Sequence, residues 1–474
     1  MVHSKHDELN PLSVEKATPG ATKARNDGLF LLVLGAILFA VLGFFLEPRS
    51  VVAMADFNQV FYGARCLLTG CDLYSIDQLQ RLYLAESDGS QSQKLRLINN
   101  VKLSPYPPAA YVLVTPFAAL PWRVAHRLWM SLTCAAFVLA AFLMWDLGFR
   151  PAPLACGLLI FLFLIGQELL IEVGNPAGLA IALCLIAVWC FLRKKLEFAG
   201  VLCLAVSLAV KPHDSGLVWL YFLAAGGIFR KRAIQTLLCT VALSLLAILW
   251  VRQTSPDWMT ELSHNLTFAS MRGGFNDPGP AGVEPQLHGA IVISLQSAIS
   301  LFRDEASFYN RLSYLICALL LIIWIIIGVR SRFSPSLAPL ALASISVLAI
   351  LPIYHRQHDA GLLLLTVPAC TLLWSKGRWI GKCAVAITAA AAILLNNLSL
   401  QILAIASAPI RAAASGFYGQ ILALLLTRPA PIALLALVTF YLRAYSIEAR
   451  KMQVPSRRSS KSLAREHGPQ ESGG

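Results

Sequence analysis

Charge is what this chain has too little of. Asp, Glu, Lys and Arg make up 14% of its 474 residues, whereas a soluble domain carries about 25%, and hydrophobic residues reach 57%. The apolar runs 29–46, 128–145, 173–192, 233–251, 312–329 and 333–354 also lack the polar stripe that a core helix of a soluble protein keeps on its outer side. Each is long enough for hydrocarbon, which takes roughly 17–25 apolar residues. Together these absences exclude a soluble globular domain. No small-residue cleavage site follows the first run, so 29–46 reads as an uncleaved signal anchor. No nucleic-acid motif accompanies the net charge of +14, and no sustained internal repeat supports a transporter built from inverted halves.

The positive charge that is there falls in short clusters between apolar runs: Arg193-Lys194-Lys195, Arg230-Lys231-Arg232, Arg330/Arg332, Lys376/Arg378, and a series from Arg443 to Lys461. Basic clusters flanking spans mark the cytoplasmic side. Threading the runs to satisfy every cluster predicts an all-α, polytopic membrane protein of about twelve spans, with both termini cytoplasmic. The spans fall near 29–46, 126–146, 153–171, 176–192, 197–210, 214–229, 233–252, 311–329, 335–353, 360–375, 380–401 and 429–446. Residues 1–28 and 447–474 read as disordered cytoplasmic tails around a membrane-embedded unit, 29–446, in the plasma membrane, inner in a bacterial envelope. Two long connections, 47–125 and 253–310, fall outside, and each contains an apolar piece, 106–120 and 287–302, suited to a helix lying in the interface. Most of the 11 cysteines lie inside apolar runs as small hydrophobes. Cys66 and Cys71 share an outer loop and are read as free thiols, with a disulfide as the open alternative.

The same threading sorts the polar residues by side. Asp56, Tyr106-Pro107-Pro108, Gly174-Asn175, Lys211-Pro212-His213-Asp214 and His355-Arg356-Gln357-His358-Asp359 all come to the outer face. Ionisable groups at membrane depth are costly, so their gathering on one side points to a water-accessible site. Asp56 can serve as a general base or cap a helix that starts at Phe57. Lys211, His213, His355, Arg356 and His358 are the cationic or hydrogen-bonding candidates on that face. Pro107-Pro108 fixes an extended corner, with Tyr106 lining a groove. His355, His358 and Asp359 could share a metal on one helical face, but a third strong ligand is missing and no metal is assigned.

The run from Asp56-Phe57 through Phe61-Tyr62, Ala64-Arg65, Gly70, Asp72 and Tyr74 resembles the opening of glycosyltransferase family 87. The resemblance continues at Tyr106-Pro107-Pro108, Pro116, Leu120-Pro121, Leu128-Trp129, Gly174-Asn175, Ala199-Gly200 and Lys211-Pro212, and thins in the second half of the chain. Many members have Gly-Gln where this chain has Gly174-Asn175. The resemblance implies an inverting membrane enzyme of the C superfamily that takes a monosaccharide, in many relatives mannose, from a polyprenyl-phosphate carrier. It also implies that Asp56 is the catalytic base, that Tyr106 and Asn175 contact substrate, that Lys211, His213, His355, Arg356 and His358 hold the donor phosphate, arginine being the better clamp because its planar fork grips two oxygens, and that no cofactor is needed. Partners are then the donor lipid, a lipid- or glycan-linked acceptor and membrane lipids, with no nucleic acid. An O-antigen polymerase or ligase, or a secondary transporter, are the rival readings.

Overall fold

The computed structural model describes residues 19–50, 53–86, 103–280, 292–406, 409 and 416–453. Those residues are helical, with one isolated β-bridge between Val292 and Arg356. Seven helices are long and apolar enough to cross a membrane: Gly20–Arg49, Trp122–Gly148, Pro153–Glu172, Pro176–Arg193, Gly227–Thr254, Ala306–Arg330 and Pro429–Gln453.

The other five expected spans fall on shorter pieces, so length and apolarity identify seven of the twelve expected spans and do not support the exact count of twelve. Glu197–Val210 and Pro212–Ala225 have 14 residues each, Ala338–Ile350 has 13, Thr366–Lys376 has 11 and Arg378–Leu394 has 17. At 1.5 Å per residue the 13-residue helix reaches about 20 Å, short of a hydrocarbon core of about 30 Å. The cause is local. Pro212 separates two helices, and residues 357–365 form a tighter 3₁₀ segment before the α-helix resumes at Thr366. The first helix begins at Pro19 and the last ends at Gln453, so residues 19–28 and 447–453 extend spans rather than belonging to tails. The rest of both expected tails lies outside the described residues.

Small residues let the first span approach its neighbour. A Cβ added at Gly28 would strike the backbone of Pro153, and one at Gly157 would strike the backbone of Gly28, so the helices meet backbone to backbone. Of the expected interfacial helices, the first is present as Pro108–Ala118. The second is a six-residue turn of helix, Leu295–Ser300, buried throughout instead of lying at an interface; residues 287–291 lie outside the described residues. Cys66 and Cys71 are joined as a disulfide, with Cα atoms 4.7 Å apart, where the sequence reading has free thiols. The bond closes the end of the helix Ala55–Thr69, whose cap Gly70 has φ +78°, the left-handed region that glycine tolerates.

The basic clusters gather at one end of the bundle. Arg193 pairs with Asp146 at 2.7 Å, Arg232 pairs with Glu197, and Gln453 donates to the carbonyl of Arg330 at 2.6 Å. Asn175 stands at the opposite end of the helix that finishes at Arg193, about 27 Å away by helical rise. That separation matches the thickness of a bilayer's apolar core.

Candidate active site

Asp56 sits in the first turn of Ala55–Thr69 and does not cap that helix. Its backbone N–H donates to the carbonyl of Val173 at 3.0 Å. Its carboxylate accepts a hydrogen bond from the side-chain amide of Asn175 at 2.7 Å. The other end of that amide, Oδ1, accepts from the N–H of Ala177 at 2.8 Å and caps Pro176–Arg193, with Pro176 in the first helical position. One side chain thus closes a helix end and orients the carboxylate. Gly174 has φ +65°, and a Cβ there would press on the Cβ of Phe57 and the sulfur of Met54. Only glycine brings the chain this close to the helix of Asp56.

An aromatic floor supports the arrangement. Phe57 stacks on Trp129 with ring centroids 4.8 Å apart and on Trp122 at 5.6 Å, while the indole of Trp129 donates to the carbonyl of Gly174 at 2.9 Å. Asp56 itself remains half-buried.

Pro107 and Pro108 form the expected corner before Pro108–Ala118, and the hydroxyl of Tyr74 donates to the carbonyl of Tyr106 at 3.0 Å. Burial raises the Tyr106 phenol well above its ordinary range, and the neighbouring Asp56 and Tyr354 add to the effect. Tyr106 therefore stays protonated beside the carboxylate, as a hydrogen-bond donor.

Lys211, the extended residue between two short helices, is buried and paired twice: with Asp359, and with Asp214 at 3.3 Å. Burial alone would weaken its charge, but the two carboxylates more than offset that and hold the ammonium above the usual lysine range. Asp214 also accepts from Nε2 of His355 at 3.1 Å, whose Nδ1 faces the carbonyl of Ile353 at 3.0 Å. His213 lies 3.7 Å from Asp214, and His358 lies 3.5 Å from Asp359. Burial lowers both His213, to about 4, and His358, so both rings are neutral near pH 7. Arg356 differs from Lys211. It is half-buried, donates to the carbonyl of Phe275 at 2.6 Å, and has no ion pair among the described residues. The turn is held from the second long connection, where the N–H of Ile293 donates to the carbonyl of His355 at 2.9 Å.

The structure therefore gathers all eight sequence-predicted residues, Asp56, Tyr106, Asn175, Lys211, His213, His355, Arg356 and His358, around a network that they do not complete alone. Asp214 and Asp359, left without a role in phosphate binding or base chemistry, neutralise Lys211. Tyr354, which no sequence signal marks, faces Arg356, Lys211 and Asp56. The metal-ligating trio brought together is also different from the one considered in the sequence: His213, Asp214 and His355 present donor atoms within 4.8 Å of one another. Because Asp214 is already engaged by Lys211 and His355, the trio is accounted for as an ion-pair and hydrogen-bond network.

Residues 105–276 match the model of glycosyltransferase family 87, which bears out the resemblance read from the sequence and supports transferase activity. The matched stretch contains Tyr106, Asn175, Lys211 and His213, while Asp56 and the turn 355–359 lie outside it. Neither the search of curated proteins nor that of solved structures returned a match.

Proposed function

We propose that this chain, whose residues 105–276 match the glycosyltransferase family 87 model, moves a monosaccharide from a polyprenyl-phosphate carrier to a lipid- or glycan-linked hydroxyl. The reaction is placed on the extracytoplasmic face of the plasma membrane, with both termini cytoplasmic. The observation that carries the reading is Asp56: a half-buried carboxylate, oriented by Asn175, standing in the same cluster as Tyr106, His358 and Arg356.

In this reading Asp56 takes the proton of the acceptor hydroxyl as its oxygen attacks the anomeric carbon. The carbon–oxygen bond to the carrier breaks on the opposite side, the configuration inverts, and the lipid leaves as a phosphate monoester. A positioned base contributes about 10²–10⁴ in rate. The phosphate that departs gains negative charge in a partly dehydrated site and needs fixed donors. Lys211 is already balanced by two carboxylates, so the phosphate falls to the unpaired guanidinium of Arg356, with Tyr106 as a neutral donor. Mannose is the sugar suggested by the family. No divalent ion is assigned a step, because a single phosphate ester has no diphosphate to chelate.

The test is radiolabelled sugar transfer from a polyprenyl-phosphate donor in proteoliposomes holding the full chain. Asp56→Asn keeps the shape and removes the base; transfer undiminished by that change would refute the assignment. Lipid analysis of cells lacking the protein would identify the glycan that disappears, and with it donor and acceptor.

A further inference from the structure

At the opposite end of the bundle, Ala306–Arg330 and Pro429–Gln453 leave a cleft of about 610 Å³ between them. Its walls are Leu320, Ile323 and Ile327 on one helix and Leu442 and Ile447 on the other. Arg330 and Arg450 stand at its mouth, near the helix ends, and Arg443 lines it about two turns deeper on the same helix as Arg450. A smaller hollow of about 290 Å³ adjoins it and shares Arg330, Ser446 and Arg450. No carboxylate lines either space.

From this we infer that the cleft binds one anionic glycerophospholipid of the cytoplasmic leaflet, its phosphate held by Arg330, Arg443 and Arg450 and an acyl chain lying along the apolar walls.

Three observations carry the assignment. All three arginines are exposed, and none has an ion pair among the described residues. Arg193 and Arg232, by contrast, have carboxylate partners, and Glu448, two residues before Arg450, is taken by Lys376 and Lys451. Positive-inside topology accounts for the side on which arginines fall, but not for three unpaired ones around one apolar cleft. The wall from Leu320 to the mouth at Arg330 spans ten residues, about 15 Å, which is half of a hydrocarbon core of about 30 Å and so the depth of one leaflet. A soluble anion would use the mouth and leave that wall empty; a lipid uses both. Guanidinium groups suit the headgroup because each can grip two phosphate oxygens.

The test uses the full chain purified in a neutral detergent and titrated with phosphatidylglycerol or phosphatidylcholine of equal chain length, read by native mass spectrometry and by Tm. The wild type is expected to bind phosphatidylglycerol about tenfold or more tightly than phosphatidylcholine, the preference that a few basic residues confer. R330Q/R443Q/R450Q should lose that preference, and R330K/R443K/R450K should keep most of it. Ile323→Trp, which fills the cleft and leaves the arginines in place, should bind neither lipid there. Equal binding of both lipids by the wild type overturns the inference, as does a preference that survives in the glutamine variant or in Ile323→Trp. Inorganic phosphate raising Tm as much as phosphatidylglycerol would make the mouth a simple anion site and overturn it. A wild-type dimer that the glutamine variant dissolves would assign the cleft to a second copy and overturn it too.

Discussion

The side-chain amide of Asn175 donates to the carboxylate of Asp56 at 2.7 Å while its carbonyl oxygen caps the helix Pro176–Arg193. Two residues 119 positions apart are thereby fixed to one rigid helix end. A carboxylate held this way keeps one orientation.

Asn175→Ala removes both bonds without touching the base. A reacting group displaced by about 1 Å can cost on the order of 10²-fold in rate. We expect kcat for sugar transfer to fall by roughly 10–100-fold with a smaller change in KM for the donor. Loss of the cap should lower stability by about 1 kcal/mol. Asn175→Gln supplies the same amide on a longer arm and should recover part of kcat. Equal kcat in the wild type and Asn175→Ala would remove Asn175 from any positioning role.

Lys211 and Arg356, equivalent candidates in the sequence, should separate by experiment. Removing the Lys211 ammonium strands Asp214 and Asp359 in a buried site, and breaking a buried pair costs about 3–5 kcal/mol. Lys211→Met should therefore unfold at markedly lower temperature. Arg356→Gln breaks no ion pair among the described residues and should keep its Tm near that of the wild type, while the KM for the lipid-phosphate donor rises about tenfold or more. Thermal scans paired with donor titrations check this. A stable Lys211→Met with weakened donor binding would reverse the two roles.

That division of labour shows what a single sequence can and cannot express. Every proposed site residue was visible because a polar side chain breaking an apolar run is conspicuous, and the basic clusters told the two ends of the bundle apart. The partners of Lys211 were not visible in the same way. Asp359 lies 148 residues away, and no local pattern says whether a lysine will meet a phosphate or two carboxylates. Span counting failed for a related reason: apolarity persists through Pro212 and through the 3₁₀ segment 357–365, where the helix does not. The Cys66–Cys71 bond depended on a tight helix end, set by Gly70, that composition does not reveal.

Gly174 offers a test of how closely the site is packed. Alanine there must adopt a left-handed φ and place its Cβ against Phe57 and Met54, both of which hold the helix of Asp56. Strain of this kind costs about 1–3 kcal/mol. Gly174→Ala is expected to lower Tm and to reduce kcat more than the loss of folded protein explains. Phe57→Leu in the same background creates space and should restore part of both. A fully active Gly174→Ala would mean that the close approach has no bearing on Asp56.

The two long connections meet at a pair of acids, and this junction should make the protein sensitive to pH. Asp72 accepts from the N–H of Tyr74 at 3.0 Å and from the hydroxyl of Ser255, while Asn265 bridges the carbonyls of Tyr74 and Ser104 at 3.2 and 3.3 Å. Glu261, on Trp258–Ser270, has one buried carboxyl oxygen without a hydrogen-bond partner, and burial followed by repulsion from Asp72 pushes its pKa up from 4.5 to about 7. A carboxyl raised on folding favours the folded state when protonated. Its contribution is therefore complete below about pH 4.5 and is lost as pH rises through about 7. Tm measured from pH 5 to pH 8 should fall for the wild type, and Glu261→Gln, permanently neutral, should flatten that slope. Because Tyr74 also supports Tyr106 through its hydroxyl, the donor KM should rise over the same interval in the wild type and less in the variant. An unchanged slope in Glu261→Gln would show that Glu261 does not set the pH dependence.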